Sequence, residues 1–235
     1  MSHVHQEGAS DHMLILAAVL PALVLLAVVY AADRHKERPR RVLPLFVVGA
    51  LVVLPAGLCE RYLLDLYAAT PNPPTGFVAS LVTAFFVAGI TEEAFKGFAF
   101  LRLVYHRPIF SEMYDGVLYA VAISLGFAAV ENILYVTSDG LQTAFVRAFT
   151  AVPAHGLFGV AMGSYFGKAK FSSAPLWPAF AVPALLHGAY DAFALAHGFW
   201  ANIALIGYLM WLVRFSWIKA ATARVSDRFE GHRTS

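Results

Sequence analysis

Seven stretches of this chain are each long and apolar enough to span a bilayer, at roughly 13–32, 42–67, 77–104, 114–136, 142–167, 174–197 and 199–219. A membrane-spanning helix needs about 20 mostly apolar residues. In hydrocarbon every backbone polar group must be satisfied internally, which leaves helices and closed barrels. Runs this long select the helix. The expected fold is therefore all-α, a polytopic transmembrane bundle of about seven spans in one domain. Composition agrees. Of 235 residues, 59% are hydrophobic and 14% charged, against roughly 45–50% and about 25% in soluble domains. That leaves too few charges to coat a soluble surface.

On this reading residues 1–12 are a short extracytoplasmic tail, 13–219 the bundle, with the helices that carry most of its buried ionisable residues in 77–197, and 220–235 a basic cytoplasmic tail. Pro71-Asn72-Pro73-Pro74 and Ser172-Ser173-Ala174-Pro175 punctuate the connections. Glu60, Arg61 and Asp65 close the second stretch, which assigns its last turns to the interface. The loops on one side hold Arg34, Lys36, Arg38, Arg40, Arg41, Arg107, Lys168, Lys170, Arg224, Arg228 and Arg233, and those on the other hold no Lys or Arg. The positive-inside rule then puts the N-terminus outside and the C-terminus in the cytoplasm. The leader carries no Lys or Arg, and its apolar run exceeds a typical signal-peptide core, so the first span reads as retained. His3, His5 and His12 read as a solvated tail. Cys59 is the single cysteine and excludes an internal disulfide. No basic stripe with interleaved aromatics supports nucleic-acid binding, and nothing sets an oligomeric state.

The informative residues are polar ones inside the spans. Glu92, Glu93 and Lys96 lie near the middle of the third, Glu131 and Asn132 in the fourth, Arg147 and His155 in the fifth, His187 and Asp191 in the sixth. Each charge facing lipid at mid-bilayer costs about 2.5–3.5 kcal/mol. Six of them must therefore face one another or water, and a convergent polar centre is the economical arrangement. Lys96 falls between Glu92 and Glu93 in helical angle, one turn on, so one ammonium can hold both carboxylates. His187 and Asp191 are i, i+4 and share a face, as do Phe127 and Glu131. Gly89, Gly97, Gly126, Gly156, Gly159, Gly163 and Gly188 mark close helix approach.

Carboxylates and imidazoles with no adjacent Ser or Cys nucleophile suit hydrolysis by activated water. Ser124 and Ser164 lack the neighbouring base a nucleophile needs. A proton-coupled transporter or channel would use the same buried Glu/Lys/His centre, but its inverted repeats are not visible here. Haem between His155 and His187 is disfavoured by the carboxylates around them.

At these residues the sequence resembles a known family. Thr91-Glu92-Glu93-Ala94-Phe95-Lys96 is similar to the EExxK motif of the PrsW intramembrane proteases. Asp115-Gly116 with Gly126-Phe127-Ala128-Ala129-Val130-Glu131-Asn132 resembles their second block. Arg147 with Pro153-Ala154-His155-Gly156 resembles the third, and Leu186-His187-Gly188-Ala189-Tyr190-Asp191 the fourth. The ordered blocks cover 91–191. The wider clan of CAAX-processing and bacteriocin-processing membrane endopeptidases carries EExxxR, FxxxH and HxxxN/D. Here Gly97 stands at the clan's Arg and Glu131 at its second-motif His, both features of the PrsW branch.

The resemblance implies an endopeptidase of the bacterial cytoplasmic membrane that cuts membrane-anchored proteins, single-pass signalling proteins among them. It implies Glu92 as the water-activating base, with Glu93 and Lys96 fixing it. His187 and Asp191 would stabilise the tetrahedral intermediate, Glu131 and His155 complete the centre, and Asn132 and Arg147 support it. No cofactor is assigned. A catalytic divalent metal such as zinc is compatible with Glu93, Glu131, His155 and His187 as ligands, although no HExxH is present. The metal-free glutamate reading is preferred.

Overall fold

The computed structural model describes residues 2–33, 37–196 and 198–231, with side chains over 13–33, 37–196 and 198–227. Its helices are α1 (Ser2–Ala31), α2 (Pro39–Ala68), α3 (Gly76–Val82), α4 (Ile90–Phe100), α5 (Met113–Asp139), α6 (Leu141–Phe149), α7 (Ala151–Phe171), α8 (Pro178–Leu195) and α9 (Phe199–Gly231). A π-helical segment, Thr83–Gly89, joins α3 to α4, and a second, Leu101–Tyr105, follows α4. Gly76–Tyr105 is thus one helical rod. Among the described residues there is no strand. The protein is an all-α polytopic membrane bundle.

Six helical rods are long and apolar enough to cross a membrane. The remaining predicted stretch folds as α8, 18 residues long, whose apolar run is diluted by His187 and Asp191. At 1.5 Å per residue it spans about 27 Å, close to the hydrocarbon thickness. The fifth predicted stretch is not one straight helix. It breaks at Thr150 (φ −124°, ψ −78°) between α6 and α7. Pro153 explains the break: it has no N–H to give, and its ring excludes the carbonyl four residues back.

α5 is the hub. Of its most apolar window 78% is buried, against 17% for Met13–Ala31 and 11% for Phe199–Asp227. A helix apolar all round belongs in the middle. Glycines let its neighbours close on it. A Cβ at Gly163 would sit 2.1 Å from Gly116 O, and one at Gly126 would sit 1.9 Å from Phe46 O. α7 and α2 therefore meet α5 backbone to backbone, which only glycine allows. Around the outside, Leu51, Leu54 and Leu58 are 60%, 66% and 72% exposed, a surface made for lipid.

The basic connections gather at one end of the bundle. Lys170 Nζ donates to Tyr105 O at 2.8 Å, and Tyr114 Oη to Val29 O at 3.1 Å. Met113 N and Tyr114 N donate to the two Asp227 oxygens at 2.7 and 3.0 Å, so α9 supplies acceptors to the orphan N–H groups that open α5. Asp115 closes a capping box with Glu112 at the same place. Where the sequence suggests a tail from 220, α9 continues to Gly231 and packs on the bundle through Asp227. The side chains of His3, His5, His12, Arg34, Lys36, Arg228 and Arg233 lie outside the described residues.

Candidate active site

The π-helical segment Thr83–Gly89 ends directly before α4, and such wide turns are frequent at functional positions. At its end, a Cβ on Gly89 would lie 2.8 Å from Ala184 O and 3.0 Å from Gly188 N. This close approach of α8 sets His187 beside Glu92 and Glu93.

Lys96 is the centre of the arrangement. Its Nζ donates to Glu92 Oε2 at 2.9 Å and Glu93 Oε1 at 2.8 Å, and lies 3.1 Å from His155 Nδ1. It also stands 4.0 Å over the Phe127 ring. An ammonium has donors only, so His155 Nδ1 accepts and its N–H sits on Nε2. That nitrogen is 2.8 Å from Glu131 Oε2. His187 Nδ1 lies 3.0 Å from Glu93 Oε1, and its Nε2 lies 3.4 Å from Asp191 Oδ2. Phe158 stacks on His187 at 4.9 Å, and the two imidazoles meet edge to face at 5.0 Å.

The outer half is braced by α5 and α6. Arg147 Nη2 lies 3.0 Å from Glu131 Oε1 and its Nε donates to Asn132 Oδ1 at 2.9 Å. Asn132 Nδ2 in turn donates to Ala18 O at 2.9 Å. Glu131 Oε2 and Arg147 Nη2 make no aligned hydrogen bond, so Glu131 is held by opposite charge at short range and keeps lone-pair capacity. All nine residues singled out in the sequence (Glu92, Glu93, Lys96, Glu131, Asn132, Arg147, His155, His187 and Asp191) fall in this one network. Asp115, part of the second motif block, does not; it caps α5 at the far end.

The network holds four carboxylates against the two cations Lys96 and Arg147. Buried charge of this sign calls for protons on the imidazoles or carboxyls, or for a divalent cation. The donor chemistry fits such an ion. Glu92, Glu93, His155 and His187 each offer an atom, all within 4.8 Å of one another. Two carboxylates and two imidazoles suit zinc. The outward nitrogens of both histidines are backed by carboxylates, as metal-ligating imidazoles commonly are. Glu93 Oε2 is buried with no hydrogen-bond partner. Among the four donors Glu92 stands where sequence reasoning expects Glu131, which sits behind His155.

A cavity of about 500 Å³ opens onto this centre. Glu92, Glu131, His155, His187 and Asp191 line it, and Glu93 and Lys96 do not. Glu92 is 6% exposed and Glu93 0%. The cavity wall also includes Glu60 of α2, which the sequence places at the interface. The signal for it was available: Val53, Gly57, Glu60 and Leu64 fall on one helical face, and all four line the cavity.

Residues 37–218 match the profile of the PrsW family, described as intramembrane metalloproteases. The protease PrsW of Geobacillus kaustophilus is 39% identical over 219 residues, covering 91% of each chain. That of Bacillus subtilis is 36% identical over 217 residues, covering 90% of this chain and 95% of its own. No solved structure matches. With a buried carboxylate–imidazole centre carried on helices that match over most of their length, the chain belongs to the PrsW family of intramembrane proteases.

Proposed function

We propose that this protease is an endopeptidase for membrane-anchored protein substrates, and that Glu92 activates the attacking water. One observation carries the assignment: of the adjacent carboxylates, Glu92 faces the cavity while Glu93 is sealed behind it. A base must reach the water whose proton it takes. Lys96, bonded to both, holds Glu92 in place and keeps its lone pairs aimed. Without an ion, His187, flanked by Glu93 and Asp191, would stabilise through its positive charge the negative charge developing on the substrate carbonyl oxygen. His155 and Glu131 complete the wall, and Asn132 and Arg147 position Glu131.

Glu93, His155 and His187 would hold a zinc-like ion while leaving Glu92 free, and such an ion would polarise the scissile carbonyl as a Lewis acid. In the bacterial cytoplasmic membrane we place the N-terminus outside and the C-terminus inside, a reading supported by the gathering of described basic residues at one end.

The test is Glu92→Gln. It preserves shape but removes the base, which contributes roughly 10²–10⁴-fold. Cleavage of a membrane-anchored reporter should fall by at least about 100-fold in a folded, inserted protein. A rate within about tenfold of wild type rejects the role.

A further inference from the structure

The cavity has a wall that the hydrolytic centre leaves unused. On α2, Glu60 faces into it with Oε1 buried and without a hydrogen-bond partner. Among the described residues no ion pair involves Glu60. Gly57 stands one turn before it, and a Cβ there would meet nothing within 4 Å, so the wall is hollow beside the carboxylate. The flanking Val53 and Leu64 are apolar.

A buried carboxylate oxygen accepts hydrogen bonds only, and leaving it unmet is costly. The group that relieves it must bring N–H or O–H donors, and the charge of the cavity says which kind. Its lining carries four carboxylates, Glu60, Glu92, Glu131 and Asp191, and one guanidinium, Arg147. Arg147 is already engaged by Glu131 and Asn132. A cation is favoured over a neutral donor, and a long aliphatic stem suits the apolar walls around it.

We propose that Glu60 forms a specificity subsite that receives a lysine or arginine side chain of the substrate near the scissile bond. This rests on the endopeptidase reading above and adds the residue class the site selects. Glu60 lines the same cavity as Glu92 but is a binding residue and takes no part in the proton transfers assigned to Glu92.

The experiment uses the full-length enzyme in liposomes and a set of single-pass transmembrane peptides. The peptides are identical except that Lys, Met or Glu is placed in turn at each position flanking the cut. Wild type should prefer Lys over Met at one position by about tenfold or more in kcat/KM. Glu60→Gln should reduce that preference to within about twofold, and Glu60→Asp, which keeps the charge, should retain much of it. Glu60→Lys should turn the preference toward the Glu peptide, a swap that a merely structural role would not produce. Absence of a Lys preference in wild type, its survival in Glu60→Gln, or an equal loss on all three peptides would each overturn the subsite. Glu92→Gln separates the two readings. If it abolishes cleavage of every peptide while Glu60→Gln leaves selectivity intact, the protease reading stands and the subsite falls. If wild type cleaves none, both fall.

Discussion

Glu131 and His155, from α5 and α7, meet at 2.8 Å between Oε2 and Nε2, and the same imidazole accepts from Lys96 on its other nitrogen. The pair is one link in a chain that runs Glu131, His155, Lys96, Glu93, His187, Asp191. Four separate helices contribute to it. Each link fixes the tautomer or charge of the next, so the centre should respond to substitution as a unit rather than as independent side chains.

Lys96→Met tests that unity. The ammonium is fully buried and shared by Glu92, Glu93 and His155. Removing one partner of a buried ion pair costs about 3–5 kcal/mol. The variant should show a lowered Tm or a loss of inserted protein. Adding Glu93→Gln removes one stranded charge and should recover part of the loss, because contacting residues are non-additive. Equal Tm values for Lys96→Met and wild type would show that the pairing contributes little to the fold.

Asn132→Leu should act from a distance. Asn132 ties Arg147 to the backbone of α1 through Ala18 O. Its loss leaves a guanidinium nitrogen of Arg147 without its acceptor and removes one tie between α5 and α1, about 1–3 kcal/mol in stability. Cleavage should fall because Arg147 no longer positions Glu131. Unchanged kcat with lowered Tm would confine Asn132 to a structural part.

What could be read in the sequence was local. Glu92 with Lys96, and His187 with Asp191, follow from helical spacing, and the structure joins both pairs. Mid-helix placement of His155 and His187 anticipates that they meet, because equal depth is a one-dimensional property. Sideways placement is not. Glu60 reads as interfacial by its position along α2, yet its angle turns it into the cavity. Asp227 lies more than a hundred residues from the α5 N–H groups that it caps. The break at Thr150 depends on Pro153 inside an apolar run, which hydropathy alone passes over.

Packing of the hub gives a paired prediction. Gly163→Val drives a side chain into Gly116 O, 2.1 Å from the new Cβ. Overpacking of this kind costs typically 1–3 kcal/mol, and here backbone must move, so Tm should drop and cleavage with it. Gly207 on α9 meets nothing within 4 Å of a built Cβ. Gly207→Ala should be neutral or stabilising by up to about 1 kcal/mol from helix propensity. Similar Tm changes in both would mean that α5 and α7 are not held at backbone contact.

Topology is checked by reporter fusions at Ser10 and Arg224, which should report opposite sides of the membrane. The described basic residues Arg107, Lys168, Lys170 and Arg224 lie in or beside the loops tied together at one end, and that end should be cytoplasmic. Both fusions on one side would remove a span from the bundle.

The last prediction concerns the ion and the lysine. Lys96 Nζ lies at hydrogen-bonding distance from donor atoms of Glu92, Glu93 and His155, three of the four residues grouped to hold a metal. An ammonium and a divalent cation compete for the same oxygens and repel each other at this range. Lys96→Met protein that remains folded should therefore bind zinc more tightly than wild type, by about tenfold or more, measured as metal content after equilibrium dialysis. Glu93→Gln, which removes a ligand instead of a competitor, should weaken it. This readout needs no turnover, so it separates the lysine's effect on the ion from its effect on Glu92. Equal zinc affinity in Lys96→Met and wild type would show that the ammonium and the ion do not share a place.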